Sequence, residues 1–189
     1  MVNKYKAHSQ EICGLKWSGE GNYIASGGND NKLVVRSNKT NTEIVKFHEH
    51  KAAVKAIGWC PSNPSVLASG GGTADRHIRF FSVNSLTQNH SIDTGNYFIN
   101  LGSQVCNLVF SKISNEMVTT HGYSLNQINL WSTDSNWEQK SVKKVTTITG
   151  HTYRVLYLAM SPTGESIITG AGDETIRFWK VFDSSHYRK

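Results

Sequence analysis

Four segments of this chain read alike, and that internal repetition constrains its fold more than any other feature. They are EICGLKWS (11–18), AVKAIGWC (53–60), QVCNLVFS (104–111) and RVLYLAMS (154–161). Each carries an aliphatic residue, a second three positions later and a large residue two further on. The sets are Ile12, Leu15, Trp17; Val54, Ile57, Trp59; Val105, Leu108, Phe110; and Val155, Leu158, Met160. Short apolar runs of this composition read as strands. A second strand follows each at YIASGG (23–28), VLASGG (66–71), EMVTTHG (116–122) and SIITGAG (166–172). A third comes after a turn at KLVVRS (32–37), HIRFFS (77–82), QINLWS (127–132) and TIRFWK (175–180). A fourth, outer strand is expected at EIVKF (43–47), QNHSID (88–93) and KKVTTIT (143–149).

A unit of about 42 residues with four short strands has the period and strand count of a WD40 propeller blade. Side chains favour that reading over a generic β-sandwich. His8, His50 and His151 each open a repeat, and Asp30, Asp75 and Asp173 follow in the turn before the third strand. WD40 repeats join such a pair by hydrogen bonds to a Ser or Thr of the second strand and a Trp ending the third. Here the fullest set is His151, Thr169, Asp173 and Trp179. The second repeat offers His50, Ser69 and Asp75 with Phe81 in the Trp position; the first offers His8, Ser26 and Asp30 with Arg36 there. A His–Asp–Ser set also has the composition of a catalytic triad. Threefold recurrence in weakening form suits a structural network instead, and no catalytic residue is assigned.

Other chemistries find little support. The three cysteines, Cys13, Cys60 and Cys106, fit neither a disulfide framework nor a zinc ligand set and imply a reducing compartment. With no CxxC or HExxH, no metal site is expected. SGGN and SGGGTAD lack the GK[ST] ending of a phosphate loop and lead into strands, so they read as tight turns, and no cofactor is expected. The formal charge of +6 is scattered, without a basic run interleaved with aromatics, which speaks for a solvated surface against nucleic-acid binding. Hydrophobic content of 38% with 18% charge is ordinary for a globular domain, and no apolar run is long enough to span a bilayer. The first residues lack the apolar stretch of a secretory signal.

Several stretches are more specific than the repeat. HSQEICGLKWS, ASGGNDNKL, HKAAVKAIGWCP, LASGGGTADRHIRF, SQVCNL after IDTG, THGYSLNQINLW, GHTYRVLYLAMSP and TGAGDETIRFW occur in the order of blades four to seven of the fizzy and fizzy-related proteins. The chain resembles that family from about residue 7 to 182; LYLAMSP and AGDET are closer to the fizzy-related branch. The resemblance implies an all-β fold, a partial WD40 β-propeller of four blades from a seven-bladed ring. Its blades are expected at 7–48, 49–93, 94–149 (with an insertion at 96–102) and 150–182, followed by a tail at 183–189.

The resemblance also implies a function: a substrate-recognition coactivator of the anaphase-promoting complex, a binding module and not an enzyme, that activates the ubiquitin ligase in cell-cycle control. Positions matching the family's KEN-box site are Asn29, Asn31, Thr73, Gln127 and Arg154, and Glu174 matches its acidic destruction-box residue. Amides and hydroxyls suit a peptide's lysine, asparagine and backbone, while an arginine suits its glutamate. The expected partners are the anaphase-promoting complex and degron-bearing cell-cycle proteins, with no membrane, and the expected localisation is nucleus and cytoplasm. Three departures bear on this. Blades one to three are absent, the last residues read SSHYRK where the family has Ile-Arg, and NYFINLG interrupts the family's IDTGSQV. The expectation is a fragment or degenerate copy of a longer coactivator; alternatives are a ring completed by a second copy or a partner, or a WD40 scaffold without degron binding.

Overall fold

The computed structural model describes residues 4–83, 98–133 and 142–182, and among them there is no helix. Among the described residues fifteen strands form four antiparallel sheets. The first contains β1 (Ile12–Trp17), β2 (Tyr23–Gly28), β3 (Leu33–Ser37) and β4 (Glu43–Phe47) in sequence order. The second contains β5 (Val54–Trp59), β6 (Val66–Gly71), β7 (His77–Ser82) and β8 (Phe98–Asn100). The third contains β9 (Val105–Phe110), β10 (Glu116–His121), β11 (Ile128–Ser132) and β12 (Lys143–Ile148). The fourth contains β13 (Val155–Met160), β14 (Ser166–Ala171) and β15 (Ile176–Lys180). The chain is all-β, an arc of four propeller blades.

One segment differs from its sequence reading. QNHSID at 88–93 lies outside the described residues, and the outer strand of the second sheet is β8, from the segment expected to be an insertion in the following blade. It pairs with β7 in the register His77↔Asn100, Ile78↔Ile99, Arg79↔Phe98. A Phe-Ile dipeptide has strand propensity, and the outer edge of β7 supplies the ladder. Residues 98–100 therefore belong with the second sheet, not with the third. The tail at 183–189 lies outside the described residues.

Packing is between sheets. Four sheets leave three interfaces, and each holds one apolar cluster. Leu33, Val35 and Phe47 of the first sheet meet Val54, Ile57 and Phe81 of the second, with the Phe47 and Phe81 rings 4.0 Å apart. Ala68 and Ile78 meet Leu108, Phe110 and Met117 at the next, and Ile128 and Leu130 meet Val155 and Ile167 at the last. The innermost strands β1, β5, β9 and β13 lie against one another in turn. Close approach requires glycine where β2 and β6 meet the next innermost strand. A Cβ on Gly27 would stand 2.1 Å from the Val54 carbonyl oxygen, and one on Gly70 would stand 2.5 Å from Val105 Cγ1.

The two end sheets lack this cover. Ile12, Leu15 and Trp17 are 52%, 60% and 55% exposed, whereas their equivalents Val54, Ile57 and Trp59 are 0%, 1% and 9% exposed. At the other end Ile176 and Phe178 are 71% and 74% exposed, against 0% for Leu33 and Val35 at the same register positions. The same side-chain types thus sit in two environments within one molecule. In the 189-residue chain, Ile57→Ala is expected to lower the unfolding free energy by about 3 kcal/mol through loss of buried surface and the cavity left. Leu15→Ala at the equivalent uncovered position is expected to change it by less than about 0.5 kcal/mol. Urea denaturation of both variants checks the difference; equal losses would contradict an open face.

Candidate functional site

Within each sheet a buried polar relay crosses the first three strands near one end. In the first, Asp30 accepts from His8 Nδ1 at 2.9 Å and from the Ser9 amide at 3.0 Å. The carboxylate fixes the ring proton on Nδ1, so His8 Nε2 accepts the Ser26 hydroxyl at 2.9 Å. In the fourth, Trp179 Nε1 donates to Thr169 Oγ1 at 2.8 Å, Thr169 donates to His151 Nε2 at 2.8 Å, and His151 Nδ1 donates to Asp173 at 2.9 Å. In the second, Phe81 stands in the Trp position and packs in the core. Compensation comes from Arg79, which donates two hydrogen bonds to Asp75 at 2.6 and 3.0 Å, beside His50 at 2.5 Å. Ser69 closes that relay at 2.6 Å from His50 Nε2.

Charge states follow from these partners. Burial pushes Asp30 up, but the Ser9 and Lys32 amides and His8 outweigh it and hold the carboxyl at about 2. Burial opposes ionisation of Asp75 too, and His50 with Arg79 overcomes it, leaving the group well below the usual carboxylate range. Burial lowers the pKa of His50, so that ring is neutral.

The third sheet has neither the opening histidine nor the aspartate, and sequence reasoning left it without a relay. Its solution is His121, on β10, where the other sheets have Gly28, Gly71 and Ala171. A Cβ on Gly28 would meet the His8 ring and Asp30 at 2.6 Å. The space that glycine leaves for a distant histidine is the space His121 fills from within the strand. His121 Nδ1 bonds Ser103 Oγ at 3.0 Å, its Nε2 bonds Thr119 at 2.8 Å, and Trp131 Nε1 donates to Thr119 at 2.9 Å. Asn129 adds a bond at 3.1 Å. The signal was present in EMVTTHG, whose histidine stands where two other repeats have glycine. Burial pushes His121 down to about 4.

These relays brace one end of the sheets. Because the strands are antiparallel, the turn between a blade's second and third strands lies beside the segment that enters its first. Four equivalent backbone hydrogen bonds join them: Asn29 N to Glu11 O at 2.9 Å, Gly72 N to Ala53 O at 3.0 Å, Gly122 N to Gln104 O at 3.0 Å and Gly172 N to Arg154 O at 3.1 Å. Every such turn then passes through a left-handed, non-glycine residue two positions before its third strand's first core-register residue. These are Asn31 (φ 64°), Arg76 (59°), Asn126 (47°) and Glu174 (65°). A β-bulge interrupts each innermost strand at the same end, at Cys13, Lys55, Cys106 and Leu156. Bulges re-aim side chains and recur beside functional surfaces.

All six degron candidates fall on this end. Asn29 is exposed and donates to Glu11 at 3.2 Å, and Asn31 holds the left-handed turn position. Thr73 is exposed, with its carbonyl accepting from Arg76 Nε at 2.8 Å. Gln127 is half-buried, its carbonyl accepting the His121 amide at 2.9 Å. Arg154 is half-buried, with its guanidinium 4.9 Å from the Tyr123 ring centroid and a buried Nε that has no partner. Glu174 is exposed at the turn of the fourth blade. Sequence reasoning passed over Arg79, His121 and the aromatic neighbours of Arg154.

Three- and four-stranded sheets packed face to face, three of them braced by His–Ser/Thr–Asp relays and the third sheet by His121, define an arc of a WD40 propeller. The WD40 domain model of the CDC20/Fizzy proteins matches residues 1–179, and the chain belongs to that family. Protein FIZZY-RELATED 3 of Arabidopsis thaliana is 56% identical over 97% of the chain, and APC/C activator protein CDH1 of Saccharomyces cerevisiae is 47% identical over 94%. The match covers 35% of the first and 29% of the second, so the chain spans about a third of the length of such relatives. Among solved structures, a chain of the mitotic checkpoint complex superposes with a TM-score of 0.86 at 36% identity, covering 96% of this chain and 52% of that one. U3-55K shares the fold, with a TM-score of 0.74 at 21% identity over 93% of this chain and 50% of its own.

Two outcomes follow from the relays and turns. His121 resists protonation down to about pH 4, whereas an unfolded histidine takes a proton below about 6.5. The unfolded state therefore binds more protons in that window, and stability falls as pH drops through it, by on the order of 3 kcal/mol for this residue. His121→Gln is expected to reduce the slope of unfolding free energy near pH 5 by about 1.4 kcal/mol per pH unit, in denaturant titrations across pH 4.5–7. An unchanged slope would mean that the ring titrates normally. Glu174 pays a left-handed backbone cost, so Glu174→Gly is expected to raise the unfolding free energy by about 1 kcal/mol in the same assay.

Proposed function

We propose that these blades are the substrate-reading part of a coactivator of the anaphase-promoting complex, and that the turn-bearing end holds degron peptides. A KEN-box peptide is taken up by Asn29, Asn31, Thr73, Gln127 and Arg154. The amides and the threonine hydroxyl pair with its lysine, asparagine and backbone, and Arg154 takes its glutamate. Glu174 takes the arginine of a destruction box, whose groove is completed by a blade beyond the described residues. The module catalyses nothing itself; it brings substrates to the ligase in nucleus and cytoplasm.

The observation that carries this reading is the state of Arg154. Its guanidinium is positioned over Tyr123, yet Nε is buried without an acceptor, and no ion pair involves the side chain among the described residues. A buried donor without a partner costs about 1–3 kcal/mol, and the other nitrogens of the same guanidinium suit a carboxylate. Further support comes from the relatives, one of which is called an APC/C activator, and from the checkpoint complex among the structural neighbours.

Arg154→Ala in the protein at its natural full length is expected to weaken a fluorescent KEN-box peptide by about 1.5–3 kcal/mol, a factor of roughly 10 to 150. Fluorescence anisotropy reads the effect. Unchanged affinity with an unchanged melting curve would remove Arg154 from the site and leave the scaffold reading in its place.

A further inference from the structure

Beside Arg154 lie two aromatic side chains that belong to no core cluster, Tyr123 and Tyr153, and Leu125 stands in the same turn as Tyr123. Tyr123, Leu125 and Tyr153 are all exposed. The two tyrosine rings meet edge to face with centroids 5.2 Å apart, an arrangement that aromatic quadrupoles favour. Tyr153 packs against Gly172, where a Cβ would come within 2.5 Å of its ring. The Tyr153 hydroxyl beside it raises the pKa of the Tyr123 phenol. The Arg154 guanidinium lies beside the Tyr123 ring, 4.9 Å from its centroid. The shelf is therefore held from two adjacent blades: Tyr123 and Leu125 come from the turn after β10, and Tyr153 from the segment entering β13.

Two vacant polar atoms accompany it. Arg154 Nε is a buried donor, and Asn126 Oδ1 is a buried acceptor whose own amide nitrogen is engaged with the Thr152 carbonyl at 3.1 Å. Buried polar atoms are almost always paired. A vacant cationic donor, a vacant acceptor and an exposed aromatic surface within one pair of turns match a peptide that offers a carboxylate, a backbone N–H and a large apolar side chain. An extended peptide advances about 3.3 Å per residue, so an apolar residue within two positions of the acidic one reaches the rings while its carboxylate meets Arg154.

We propose that Tyr123, Leu125 and Tyr153 form a specificity shelf, which selects peptides with a large apolar side chain within two positions of the acidic residue held by Arg154. The proposal deepens the degron reading and rests on it. Selection acts by burying apolar surface on rings that are already fixed, so little side-chain freedom is lost on binding.

The test uses the full-length protein and KEN-box peptides in which Phe replaces Ser immediately before or immediately after the motif, each position two residues from its glutamate. At one or more positions Phe is expected to tighten binding about tenfold. In the Tyr123→Ser/Tyr153→Ser variant that advantage is expected to vanish, so that Phe and Ser peptides bind alike. Tyr123→Phe should retain the advantage, and Leu125→Ser, at an exposed turn, should reduce it if the double variant does not fold. A gain below threefold at every position, or a gain that survives the tyrosine changes, overturns the shelf. Arg154→Ala separates the two readings. If it weakens Phe and Ser peptides alike, the acidic contact stands. If it weakens neither while the tyrosine changes still abolish the Phe advantage, the degron assignment of Arg154 fails and an apolar site remains.

Discussion

Cover between neighbouring sheets is the constraint on which this molecule depends. A four-stranded sheet with few long side chains cannot enclose a core of its own, so each blade buries its apolar residues only where another lies on top. The contrast between Ile57 and Leu15, or between Val35 and Phe178, shows this without reference to any other protein. Three interfaces bury apolar clusters, and the two outward faces carry the same residue types exposed. Both outward faces leave apolar residues exposed, and the chain spans about a third of the length of the relatives it matches.

Close packing of inner strands also dictates where polar chemistry can sit. With glycine at Gly27 and Gly70 letting backbones approach, the relays are pushed to the strand ends, where each pins a turn to the segment beside it. The relays differ in parts and agree in purpose: a tryptophan in two sheets, a bidentate arginine in the second, and a strand-borne histidine in the third. All pin a turn to the segment beside it and so give that end of the sheets a fixed surface.

Much of this was legible in the residues. Strand positions followed from the period of Ile12, Leu15 and Trp17 through Val155, Leu158 and Met160, and the His–Asp spacing located three turns. Two features were not legible for physical reasons. β8 lies in a segment whose length departs from the repeat, so periodicity carried no information there and edge pairing decided it. The relay around His121 uses a residue from a different strand to fill the same space, a substitution visible only in three dimensions. The aromatic surroundings of Arg154 were hidden likewise, because Tyr123 and Tyr153 are 30 residues apart and meet only when blades pack.

Hydrogen exchange of the full-length protein, with and without a saturating KEN-box peptide, locates the contacted surface most directly. Protection is expected at residues 28–32, 72–76, 122–127 and 152–154, on the end where the relays lie. Protection concentrated instead at the opposite turns, residues 18–22 and 111–115, or none at either end, would contradict a peptide-reading surface built from the relay-braced turns.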